Sequence, residues 1–416
     1  IANSNIIANS NITAQSNIIA NSNLIAMNDV IATSNIISYS NVISLINIQA
    51  NSNIIANLNI QANSNIIARS NVIAMIDVIA TSNLIANSNI IARSNIIAMN
   101  DVIATSNLIA QSNVISIGNL ISSNDIRANS NIIALNQIIA FNEIRALNQI
   151  RVSSNIIGNS NLLITSNINA NLNIQAGSNI TATFNIIAGN NLIATSNVIA
   201  QSNLIAMNDL IVNNQLNVGS NISTSSNIIA GSNIIAGFNV IANSNIQANS
   251  NIQANLNIQA NLNIIANSNV IANSNVIANS NIIANSNVIS MMDIRSLRDI
   301  IIDRDLLINR NLIGNGKIIW NSNVEINNNL IVSSNLFANL IKASNLNIND
   351  LITSNLIVQT NLLSSNLITS NLNVISNVII NSNLIVQSNI YCGFLYGDGS
   401  TLSNISFGQL NGILPI

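Results

Sequence analysis

The chain of 416 residues contains no histidine, one cysteine and one proline. Only 6% of its residues are charged and 2% are aromatic. A soluble globular domain carries about 25% charged residues, so this composition lies far outside that class. The net charge of −2 gives no electrostatic basis for holding nucleic acid or an anionic membrane surface. A single cysteine, Cys392, excludes an intrachain disulfide framework and is read as a lone buried thiol, with a disulfide between protomers as the alternative. Without histidine, and with carboxylates mostly scattered singly, there is no acid–base pair, triad or metal-ligand cluster. Catalytic, cofactor-binding and metal-binding residues are therefore expected to be none, and the chain is read as not an enzyme. No apolar run reaches the roughly 18 residues that span a bilayer, because Asn or Ser returns every few residues; no membrane insertion is expected. The sequence begins at Ile1 in mid-repeat, without Met or a signal-peptide pattern, and reads as a piece of a longer array.

What the sequence does have is a period of six. The unit Ile-Ala-Asn-Ser-Asn-Ile at Ile1–Ile6 returns without insertion or deletion as far as Leu336. Each of the 56 positions from Ile6 to Leu336 in steps of six is Ile, Leu or Val, which makes this column the expected core. The residue before it is Asn in 43 of 56 cases and otherwise mostly Asp, as at Asp29, Asp77, Asp101 and Asp125. The Ile1 column accepts Gln49, Gln61, Arg127, Arg145 and Arg151, so it lies at least partly outside. The Ala2 column is mostly small, as close backbone approach requires. Asn3 and Ser4 begin a variable corner.

Six does not fit the helical period of 3.6, and Asn, Ser and β-branched Ile are weak helix formers. Asn-Ile-Ile-Ala supplies a short extended stretch with β-branched side chains. Asn and Ser then supply a bend, where Asn tolerates the left-handed region. Such units cannot bury an apolar side alone and must stack. Stacked coils place like residues about 4.8 Å apart, turning the aliphatic column into a continuous core and the Asn column into an amide ladder.

The pair Ile1-Ala2 within its hexad resembles the unit of the left-handed parallel β-helices built from hexapeptide repeats. The resemblance covers about four-fifths of the chain. This chain departs from that unit at Asn5, where Ser, Thr, Ala or Val is usual, and at Ile6, where an outward residue is usual. It also lacks the histidine that the acyltransferases of that family use. The expected fold is all-β: a parallel β-solenoid built from hexapeptide repeats, left-handed or intertwined, and fibrous. Three hexads per coil would give about 18–19 coils and a length of roughly 90 Å, and two per coil roughly 135 Å. Ile66–Asn89 recurs nearly intact as Ile90–Asn113, and seven of the eight ladder Asp residues share one 12-residue phase. Both facts favour an even number of hexads per coil, although duplication would leave the same trace.

Three segments are distinguished: a strict hexapeptide solenoid at 1–336, an irregular repeat of four to six residues at 337–389, and a Gly/aromatic-rich junction or cap at 390–416. Arg298, Arg304 and Arg310 are spaced by six, as are Asp293, Asp299 and Asp305. They are expected to form stacked columns of opposite sign that pin register, with a metal or carbohydrate site as the alternative. Gly397-Asp398-Gly399 reads as a tight turn, since one Asp is too few ligands for calcium.

The run Phe394-Leu-Tyr-Gly-Asp-Gly-Ser-Thr-Leu-Ser-Asn-Ile405 resembles a motif of the shafts of phage and large-virus tail fibres. That resemblance covers about the last 70 residues and implies a structural fibre shaft of a virion appendage, a spacer carrying a host-attachment tip. The expected partners are further virion or filament proteins at the ends and, from the outward Ile column, other copies of the chain, a trimer preferred, with no nucleic acid on the ground of charge. The implied location is the virion surface or extracellular. An extracellular adhesive or biofilm filament, amyloid-like in its Asn ladder, is the alternative, followed by an ice-binding solenoid. The outward Ile column itself argues for oligomers, since a long apolar stripe is sticky on a monomer.

Overall fold

A computed structural model describes residues 1–320, 323–359, 361–387 and 390–396. The described residues are all β, without a helix, and form two compact units, Ile1–Asn279 and Ser280–Ile416.

In the first unit each hexad contributes one three-residue strand. The first four are β1 (Ile6–Ala8), β2 (Ile12–Ala14), β3 (Ile18–Ala20) and β4 (Leu24–Ala26). β1 pairs in parallel with β4, Ile6 opposite Leu24. The same step of three strands continues as far as Ile258 opposite Val276. Three hexads thus close one coil of 18 residues, and the strands stack into a parallel β-solenoid with three faces. This corrects the expectation of an even number of hexads per coil. The 12-residue phase of the Asp residues is not the coil length. It has another consequence: no multiple of 12 equals 18, so no two members of that set stand one coil apart.

Two columns point inward. From Ile18 onward the aliphatic column is sealed, with Ile36, Val42 and Ile138 at 0% exposure. The Ala2 column is sealed as well, as at Ala20 and Ala26. Alternating inward and outward side chains is what an extended strand imposes. Where the second column takes a larger residue, its neighbours one coil away are small: Val152 lies between Ala134 and Ala170, and Ile164 between Ala146 and Ala182. Where it takes Ser, the buried hydroxyl finds a bend carbonyl. Ser38 donates to Ser22 and Asn41, and Ser122 to Ser106 and Asp125. A buried hydroxyl without an acceptor would cost ~1–3 kcal/mol.

The Ile1 column faces outward, yet most of it is only half-exposed. Each outward Ile stacks between the outward residues of the coils on either side, as Ile85 does between Ile67 and Ile103. The stripe therefore covers its own flanks and offers mainly its crest to solvent.

In the second unit the 18-residue coil continues, with Ile282 opposite Ile300 and Ile300 opposite Ile318. The long strand Asn323–Val358 keeps that step as far as Leu336, opposite Ile318. From Leu346, opposite Leu362, to Val358, opposite Val374, the step is 16, and at Leu372, opposite Ile390, it is 18 again. Asn345, Asp350, Asn355 and Asn361 mark it in the sequence as intervals of five, five and six.

Replacing Ile138 by Asp would bury an unpaired charge in the sealed column, at a cost of several kcal/mol. Replacing Ile139 by Gln should cost little, since Gln already stands in that column at Gln61 and Gln253. Equal losses of melting temperature in the two variants would overturn this inside–outside assignment.

Candidate functional site

The most regular chemistry in the molecule is the asparagine ladder, one on each face. Asn35 donates both its backbone N–H and its side-chain amide to Oδ1 of Asn17, at 3.0 Å each. Its amide also reaches the Ser34 hydroxyl at 3.3 Å. Asn53 then does the same to Asn35, at 3.1 and 3.0 Å. Where ladder Asn follows ladder Asn in this way, each accepts two hydrogen bonds from the next coil and passes two to the coil before. Its preceding residue, usually Ser, fills the remaining amide donor.

Asp enters the ladder as an acceptor only. Asp77 donates its N–H to Asn59 Oδ1 at 3.1 Å and receives the N–H and amide of Asn95 at 2.9 and 3.0 Å. One side-chain bond is lost on one side and the bonds on the other become charge-assisted. Burial of Asp209 acts to raise its pKa. Hydrogen bonds from the Ser226 hydroxyl and from the backbone and amide of Asn227 outweigh it and hold the carboxyl below its ordinary value of 3.8. A lowered folded-state pKa means the stabilisation stands above that ordinary value and is lost as pH falls below it.

One coil departs from this pattern on all three faces at once. Gln137, Glu143 and Gln149 occupy its ladder positions, and Leu135, Phe141 and Leu147 stand two residues earlier, exposed. The ladder oxygens of the coil before are met instead by the preceding Asn. Asn142 donates to Asp125 Oδ1 at 2.8 Å and Asn148 to Asn131 Oδ1 at 2.9 Å. Glu143 lies one coil from Asp125, and its N–H bonds Asp125 Oδ1 at 3.1 Å. Arg127 joins both carboxylates, 2.9 Å from Asp125 and 3.2 Å from Glu143. Glu143 is off the 12-residue phase, and this stacked acidic pair is the one that carries an arginine clamp. Sequence reasoning missed it. The signal was present as two acids 18 residues apart with Arg two residues after the first, but it is readable only once the coil length is known.

The arginine and aspartate columns expected at 291–317 are not columns. A spacing of six places successive members on the three different faces of a coil. Asp293 serves as a ladder acceptor for Asn311, at 3.0 and 3.1 Å, and Asp299 receives the N–H of Lys317 at 2.8 Å. Among the described residues no three of His, Cys, Asp and Glu come together to hold a metal. A shallow apolar depression of about 210 Å³ lies where the step changes from 18 to 16, lined by Leu330, Ile331, Leu346 and Leu363 among others. It falls below the ~300 Å³ at which ligand pockets begin. The side chain of Cys392 and the Gly397-Asp398-Gly399 segment lie outside the described residues.

Two predictions follow from this chemistry. Asn251 and Asn269 are direct ladder partners, at 3.1 and 3.0 Å, whereas Asn257 stands six residues from Asn251 on another face. Changing Asn251 and Asn269 together to Asp sets two carboxylates about 4.8 Å apart and should cost ~1–3 kcal/mol at pH 7. Mutual repulsion raises the folded-state pKa of the pair, so the penalty should fade as pH drops through the carboxylate range. Melts of this variant against Asn251→Asp with Asn257→Asp test it: an equal, pH-independent loss in both would show that the ladder is not axial.

For the clamp, Arg127→Ala should cost on the order of 1 kcal/mol. The cost should largely vanish in a Glu143→Asn background, where the stacked acid is gone. A double-mutant cycle by denaturant unfolding reads the coupling, and additivity would remove the clamp.

No protein-family model, no curated protein and no solved structure matches this chain.

Proposed function

We propose that the chain is the structural shaft of a virion appendage, an elongated homo-oligomeric spacer that carries a host-attachment tip. One observation carries the reading. Parallel backbone pairing joins successive coils on every face, and over most coils side-chain ladders add to it, as Asn35 is joined to Asn17 and Asn53. Bonding of that kind runs along one axis and accumulates with length, which is what a spacer needs. The Phe394–Ile405 resemblance to tail-fibre shafts supplies the virion context. Contact with a host resides at the tip, and the partners are further copies of the chain, a trimer preferred.

The test is electron microscopy with light scattering on the purified chain. Rods of one uniform length, with a mass that is a multiple of 44.1 kDa, are expected. Antibody against the chain should label particle appendages. Open-ended filaments that lengthen with concentration would replace this reading by the adhesive filament, and a stable monomer would remove the oligomeric spacer.

A further inference from the structure

The corners of the first unit are not equivalent. Each coil has three bends of two exposed or half-exposed residues, one before each face. In residues 1–279, 18 large apolar side chains at these bends are exposed, from Leu58 at 38% to Tyr39 at 60%. All but Phe141 stand at two of the three bends, the pair that flank the face beginning with β1 and β4. The third bend is otherwise polar or Gly, as at Thr105, Asn159 and Thr195. One face is thus bordered by two apolar edges.

The two edges also complement each other coil by coil. Ile76 on the leading edge stands level with Ser82 on the trailing edge, and Phe184 with Gly189 and Asn190. Conversely, Ile117 and Met207 on the trailing edge stand level with Gln111 and Gln201 on the leading edge. Thirteen coils carry an exposed apolar residue on these edges, and in eleven of them only one edge does. Within one chain the edges are held apart by the width of the face. They can meet only between chains.

We infer that residues 1–279 pack side by side against another copy of this chain, parallel and in register, the leading edge of one copy on the trailing edge of the next. A two-fold or three-fold axis parallel to the stack closes such a contact. The exposed apolar surface of the two edges is on the order of 1,500 Å², against about 800 Å² per partner in a standard stable interface. Charge does not oppose it. Asp77, Arg93, Gln149-flanking Arg151 and no other charged residue lie on this face, its ladder or its edges within the unit. The inference deepens the oligomeric part of the proposed spacer and leaves its virion context untouched.

Two measurements on the full chain test it. With Cys392 replaced by Ser, cysteines are placed at Gln111 and Ile117, six residues apart across the face. That separation of roughly 15–20 Å far exceeds the ~7 Å Cα limit of a disulfide, so a bond between them must join two chains. Mild oxidation should give covalent dimers or trimers from the double variant, and dimers from a mixture of the two single variants assembled together. Each single variant alone should stay uncrosslinked. The second measurement is light scattering of Ile117→Glu with Met207→Glu, which should fall toward 44.1 kDa, while Thr105→Glu with Thr195→Glu on the third bend should not. Absence of the crosslink in an assembled protein, crosslinking by a single variant, or unchanged mass in the Glu pair would overturn the inference. Rods that assemble through another face would leave the spacer reading standing.

Discussion

Much of the structure depends on one hydrogen bond: the backbone N–H of most ladder residues is donated to the side-chain oxygen of the ladder residue one coil before, as Asn35 donates to Asn17. At these positions the chain enters a strand from a bend, and a side-chain carbonyl takes the N–H. An unmet N–H there would recur three times per coil, at roughly 1–3 kcal/mol each. Asn suits the position because its side chain is short enough to aim Oδ1 at that N–H and still has an amide to donate in the opposite direction. Gln215 shows what the longer chain leaves: its N–H reaches Asn197 at 3.2 Å. Asp keeps the acceptor and gives up the donor. The near-constancy of Asn is thus a requirement of geometry at the bend rather than of any ligand.

From that bond follows how charge is distributed. A carboxylate in the ladder is tolerable when its neighbours on both sides are amides, as Asp77 is between Asn59 and Asn95. Stacked carboxylates would repel along an axis with little solvent between them. The 12-residue phase of seven Asp residues avoids stacking automatically, since 12 and 18 coincide only every 36 residues. Glu143 breaks the phase, meets Asp125, and is met by Arg127. The same coil has longer side chains at all three ladder positions and takes its amides from Asn142 and Asn148 one residue earlier. Its departures from the consensus are coordinated, each compensating for another.

Much of the fold was legible in the sequence. The hexad announces strand, bend, inner column and amide ladder, because each is set by residues within one unit. Coil length is different in kind. It depends on how many bends close a circuit, and nothing inside one hexad encodes that number. The recurrence of Ile66–Asn89 at Ile90–Asn113 pointed toward an even count, but residues 24 apart in the sequence are not neighbours in an 18-residue coil. Without the coil length, the Asp125–Arg127–Glu143 clamp could not be seen, and the charges at 291–317 were assigned to columns that the 18-residue coil disperses. The later segment shows the reverse. Asn345, Asp350, Asn355 and Asn361 looked irregular, yet their intervals sum to the 16-residue step at which Asn366 meets Asp350 and Asn377 meets Asn361.

The division of labour within the hexad decides which variation carries information. The inner columns set the core, the ladder residue sets axial bonding, and the outward column packs on itself. The second bend residue, usually Ser, accepts the ladder amide, as Ser34 does from Asn35, whereas the first varies widely. At the third bend that first residue is Gln15, Thr33, Asn51, Arg69 or Gly177 without change of strand or register. A position so permissive has no folding reason to favour large apolar residues, which cost solvation when exposed. Their confinement to the two bends around one face therefore cannot be explained by the coil itself. The inferred side-by-side contact between copies would account for it, since that contact meets this face and not the other two.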